Sequence, residues 1–213
     1  MTVEDIIKRA HRMAFADTDY PTSGTEDALV SVDGLNDGIA EWESLVEDGV
    51  IPEELLTSSD VVFGGSGTDT LPTDFRAFVP SVSDRGWLPP SFYAGSSQYR
   101  FVPTSEGMMR AQAGSSMEAI FWREGANIRT LPAISGTVSL PYVKKATRAV
   151  SSTDTFEPEC PNSEFLVSFL ASRMAIDNED DTTKYQLFAS QASEKLSAMA
   201  SRYASRMADN ARY

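Results

Sequence analysis

Apolar residues recur at helical spacing at both ends of the chain and give way to short alternating runs in the middle. Near the N-terminus, Ile6, Ile7, Ala10, Met13 and Ala14 make one stripe, which predicts a helix to about Phe15. Thr2-Val3-Glu4-Asp5 opens it as a capping box, a hydroxyl followed three residues later by an acid. A polar connection from Asp17 to Asp27 carries turn signals at Tyr20-Pro21 and Ser23-Gly24. A second helix is expected from about Val32 to Glu47, where Leu35, Ile39, Trp42, Leu45 and Val46 share a face. Gly49 is its stop, while Gly34 and Gly38 weaken its first turns. Pro52 to Leu56 is suited to one more turn.

From Val61 to about Val150 the period changes and glycine, proline and serine punctuate short runs. Val61-Val62-Phe63, Tyr99-Arg100-Phe101-Val102 and Val138 to Val143 read as strands. Ala119–Arg123 and Ile128–Leu131 flank Glu124-Gly125-Ala126-Asn127, which predicts a hairpin. Pro141 implies an edge or a bulge in its strand.

Two helices are expected to close the chain. Asn162 caps the first, which carries Phe165, Leu166, Phe169, Leu170 and Met174. Asp180-Asp181 opens the second, whose stripe is Tyr185, Phe188, Ala192, Leu196, Met199, Tyr203 and Met207. That stripe steps about 3.7 residues at a time, close to the 11-residue repeat of a nearly straight helix. Running to about Ala208, the helix would be longer than about 35 Å. Its other faces are rich in Ala and Ser, suited either to water or to a neighbouring subunit. The resulting expectation is an α+β chain. Helices from residues 1–60 and 151–213 form an antiparallel bundle, and residues 61–150 form a β-rich insertion within the same compact unit.

Charge changes this picture. The 213 residues carry a net charge of −13. Residues 1–70 hold 16 Asp+Glu against 3 Lys+Arg, whereas residues 71–213 hold 15 of each. The first third therefore does not grip nucleic acid, since affinity for phosphate needs clustered cations. Such a surface is suited to solubility, or to repelling DNA that passes nearby. No run of about 18 apolar residues is present to span a membrane, and no signal-peptide pattern opens the chain.

Candidate chemistry is sparse. Cys160 is the single cysteine, set between acidic residues and a proline, which disfavours its thiolate. His11 is the single histidine, beside Lys8, Arg9 and Arg12, and one histidine cannot build a multi-histidine metal site. Phe63-Gly64-Gly65-Ser66-Gly67-Thr68 lacks both the Lys-Ser/Thr end of a phosphate loop and the last glycine of a nucleophile elbow. Asp17-Thr18-Asp19 and Asp177–Asp181 lack the register of a calcium loop. Trp42, Trp87 and Trp122 are scattered without interleaved cations. Trp42 reads as core, and Trp87 is open to either core or interface. No catalytic residue, metal ligand or cofactor is expected.

Several segments resemble the head–tail adaptor proteins of tailed bacteriophages. These are Met1–Met13, the helix segment Leu35-Asn36-Asp37-Gly38-Ile39-Ala40-Glu41-Trp42, and the turn Leu71-Pro72-Thr73-Asp74-Phe75. The pair Gly125-Ala126-Asn127-Ile128 and Leu131-Pro132, with the terminal helices, completes the resemblance. Leu140-Pro141-Tyr142-Val143 departs from the family's Leu-x-Tyr-Tyr strand. The resemblance implies a non-enzymatic virion protein, made in the host cytoplasm and placed at the neck. About twelve copies would form a ring under the portal, helical bundle beside helical bundle, with tail or nozzle proteins below. Viral double-stranded DNA would pass through without specific binding. The C-terminal helix would reach the portal, offering Met199, Tyr203, Met207 and Tyr213 as apolar anchors and Arg202, Arg206 and Arg212 as polar ones. Glu41, Glu43, Glu47 and Asp48 are candidate acids of the channel wall. Alternatives are another neck protein, a stopper or tail terminator, a general bacterial binding module, or a soluble enzyme with an acidic site.

Overall fold

The computed structural model describes residues 1–15, 26–83, 86–113, 118–179 and 181–210. Its contacts divide the chain into two units, Met1–Leu55 with Ala146–Arg206, and Leu56–Lys145. Among the described residues are five α-helices and ten strands, an α+β chain. The unit boundaries fall five residues earlier, at each end of the β-rich segment, than the sequence pattern predicts.

The first unit is helical. Helix α1 (Val3–Phe15) begins where expected, with the Asp5 amide donating to Thr2 Oγ1 and the Thr2 amide donating to the Asp5 carboxylate. Helix α2 (Glu26–Glu43) starts earlier than its glycines suggest and passes into a 3-10 turn at Ser44–Val46. The glycines are the reason it packs closely. A Cβ at Gly34 would lie 2.9 Å from Leu170 Cδ1, and one at Gly38 would lie 3.0 Å from Phe169 Cδ1. Tertiary approach thus outweighs intrinsic propensity.

The partner in that approach is α4 (Ser163–Glu179), capped by Asn162 Oδ1 accepting from the Phe165 amide at 3.3 Å. It buries Phe165, Leu166, Val167, Leu170, Ala171 and Met174 on more than one side, as a central helix must. Both α1 and α2 pack on it. Helix α5 (Thr182–Asn210) opens with Asp181 accepting from the Thr183 and Lys184 amides. Its stripe is the face turned inward, with Phe188, Ala192, Met199 and Tyr203 buried.

The second unit contains α3 (Thr104–Gln112) and strands β1 (Leu56–Gly64), β2 (Thr68–Thr70), β3 (Phe75–Phe78), β4 (Ser81–Ser83), β5 (Gly86–Leu88), β6 (Ser91–Ala94), β7 (Ser97–Phe101), β8 (Ile120–Glu124), β9 (Asn127–Leu131) and β10 (Ser135–Lys144). One sheet has the order β1-β10-β3, a second β2-β9-β8-β7-β6, and β4 pairs with β5. Its core joins Phe63, Phe75, Phe92, Tyr99, Phe121 and Tyr142 with the aliphatic residues around them. The hairpin β8–β9 turns at Gly125, whose φ of +62° is the left-handed region that glycine allows. Pro141 lies in the middle strand of its sheet, but β3 stops at Phe78 opposite Tyr142, so at Pro141 the strand has a neighbour only in β1. A register shift follows at Val143/Lys144.

Candidate functional site

The residues that carry the expected chemistry are held in structural roles. Cys160 is buried, and burial above all pushes its thiol up to about 12, with the Glu54 charge a smaller cause. It is a thiol, not a nucleophile, at neutral pH. His11 packs its ring on Phe15 at 4.7 Å between centroids. Tyr142 donates to Asp74 at 2.8 Å, and burial with that bond raises its hydroxyl to about 12. Among the described residues no group of three or more His, Cys, Asp or Glu converges to hold a metal ion, and no helix is long and apolar enough to cross a membrane.

The motif residues act as internal ties. Asn36 of α2 donates to the Ala149 carbonyl and accepts from the Ala149 amide, both at 2.9 Å, so its amide substitutes for a strand partner. In the turn Leu71–Phe75, the Phe75 amide bonds the Pro72 carbonyl at 3.0 Å and the Asp74 carbonyl takes the Lys145 amide at 2.7 Å. In unit two, Trp122 of β8 packs closely against α3 at Gly107, where a Cβ would lie 2.4 Å from the indole.

The expected channel acids separate into two kinds. Glu41, Glu47 and Asp48 are exposed. Glu43 is only 1% exposed: its carboxylate pairs with Arg148 and accepts from the Ala146 amide at 2.6 Å. It ties α2 to the returning chain and does not belong to a solvent-facing surface. Two further acids of α2, absent from the sequence expectation, share the exposed surface with Glu41. Asp33 and Asp37 are exposed and precede Glu41 at four-residue steps, which puts all three on one helix face. Asp37 meets Arg173 at 3.7 Å. The i, i+4 spacing was the available signal.

The expected C-terminal anchors also divide. Met199 and Tyr203 are 6% and 3% exposed, and Tyr203 donates to Glu54 at 2.8 Å. The resemblance implied that they are portal anchors, but here both are core residues of the stripe's inward face. Arg206 pairs with Glu53 across an exposed surface, and Arg202 is exposed. The side chains of Met207, Arg212 and Tyr213 lie outside the described residues, and so does that of Trp87.

An open groove of about 320 Å³ runs beside Phe165, Phe169 and Arg173 of α4 and Tyr185, Ala189 and Leu196 of α5. Its ionisable side chains are Glu41, Arg173 and Tyr185, a set that gives no paired acid and base and no activated nucleophile. Charge is the stronger feature. The helical unit holds 23 Asp+Glu against 9 Lys+Arg, a net of −14, whereas Leu56–Lys145 holds 7 against 8, a net of +1. What the molecule presents is therefore one strongly acidic helical unit and one balanced β unit.

No curated protein matches the chain. A family match covers residues 1–212, almost all of it, and carries the description SU10 adaptor protein. By this match over nearly its whole length, the chain belongs to the SU10 adaptor protein family, whose members are bacteriophage structural adaptors.

Proposed function

We propose that the chain is a neck protein of the virion. About twelve copies form a ring docked beneath the portal, join the capsid to tail or nozzle proteins, and line part of the channel through which double-stranded DNA passes. The observation that carries this reading is the family match over residues 1–212. In this reading the helices act as an antiparallel bundle and the β unit as its insertion.

The charge of the helical unit supports the channel role. A ring multiplies every acid that faces its lumen, and a wall of carboxylates repels DNA phosphates and lets the duplex slide. Asp33, Asp37 and Glu41, followed by Glu47 and Asp48, are the exposed acids assigned to it. Portal docking is assigned to the end of α5, through exposed Arg202 and the segment with Met207, Arg212 and Tyr213.

Co-sedimentation with the purified cognate portal ring tests this. The full chain is expected to sediment with the portal. A variant lacking residues 205–213 is expected to stay in solution with its melting temperature nearly unchanged, because the one described ion pair it loses, Arg206–Glu53, is exposed. Docking by the truncated chain refutes the assignment to α5, and failure of the full chain to dock refutes the portal role.

A further inference from the structure

Among the described residues, the edge strands β1 and β6 of the two larger sheets differ in kind. Strand β1 pairs with β10 on one side only, along all nine of its residues. It contains no lysine and no proline, the usual devices that keep an edge from pairing, and its one charge is Asp60. At the far edge of the other sheet, β6 pairs with β7 alone among the described residues. The remaining edges are poorer templates: β2, β4 and β5 have three residues each, and in β3 the Arg76 carbonyl already takes the Arg123 guanidinium at 3.5 Å.

Both open edges display a large apolar side chain. Val62 on β1 is 68% exposed and Tyr93 on β6 is 65% exposed. A β-branched residue beside an aromatic one is a favourable cross-strand pair. Charge indicates what covers them. Helical units at −14 each repel their own copies, whereas β units at +1 do not. A copy of the same chain is therefore best met through the β unit.

We propose that neighbouring copies join β unit to β unit, with β1 of one copy adding to β6 of the next and Val62 seated beside the neighbour's Tyr93. A contact between two different edges is heterologous, the kind that repeats around a closed ring. The inference rests on the ring reading given above and replaces helix-beside-helix contact as the main lateral join.

Cysteine cross-linking tests it. Cys160 is buried with its thiol held protonated, so introduced cysteines are the accessible ones. The variant carrying Val62→Cys and Tyr93→Cys is mixed with the cognate portal ring, oxidised mildly with copper phenanthroline and run on a non-reducing gel, while the same mixture is imaged. A ladder of dimers and higher species is expected from the double variant, and monomer from each single variant. Rings in the images without a ladder overturn the edge contact and leave the ring reading standing. Absence of both overturns both. A dimer from Val62→Cys alone overturns the heterologous pairing. As a second variant, Val62→Lys is expected to melt like the wild type and form no rings, and rings from it contradict the proposal.

Discussion

At the scale of single residues, the structure separates side chains that look alike in sequence. Glu41 and Glu43 are two residues apart, yet one is exposed and the other is buried against Arg148. Glu43→Ala is expected to cost about 3 kcal/mol, because it leaves a partly buried guanidinium and the Ala146 amide without their acceptor. Glu41→Ala is expected to change stability by less than about 0.5 kcal/mol. Urea unfolding of the two variants checks this, and equal effects contradict the assignment. The glycines also differ. Gly107→Ala puts a methyl into the Trp122 indole, with no flexible end to yield, and is expected to destabilise by about 2–3 kcal/mol. Gly34→Ala meets only the far end of the Leu170 side chain and should cost about 1 kcal/mol or less. Cys160 supplies a pH dependence. Its thiol titrates near 9 when unfolded and at about 12 when folded, so the native state holds the proton more tightly. The stabilisation is complete below pH 9 and is lost as pH rises toward 12. Native protein should resist thiol reagents at pH 8 and react on unfolding, and rapid reaction of the folded chain would contradict burial as the cause.

At the scale of elements, much was legible. The starts of α1, α4 and α5 follow from Thr2, Asn162 and Asp181, because a cap is a local chemical signal that needs no tertiary information. The hairpin β8–β9 follows from alternation and a glycine turn for the same reason. Helix α2 was misjudged at its start, since Gly34 and Gly38 look like breakers until α4 is placed against them. Helix α3 was missed: its apolar contact is a glycine on an indole, which leaves no periodic stripe to read. The short strands β2 to β6 span only three or four residues each, too few for alternation to emerge, and β2 and β3 are fixed by partners distant in sequence, β9 and β10. The stripe on α5 was read correctly as a stripe. Whether its Ala/Ser-rich faces meet water or a neighbouring subunit is not decidable from periodicity, whereas the stripe itself buries Met199 and Tyr203.

At the scale of the whole molecule, charge was legible along the chain but not in space. Sequence order confines the excess acid to the first third. The fold returns residues 146–206, with their own acidic surplus, to the same unit and raises its net charge to −14. The β unit is left balanced, and this division underlies both the proposed DNA-repelling wall and the proposed lateral contact. Electron imaging of the protein mixed with its cognate portal ring, with symmetry measured from the averaged end-on views, tests the account most directly. The account predicts a closed ring of about twelve copies stacked coaxially under the portal. Portal rings that remain bare, with this chain left as separate molecules, would contradict it.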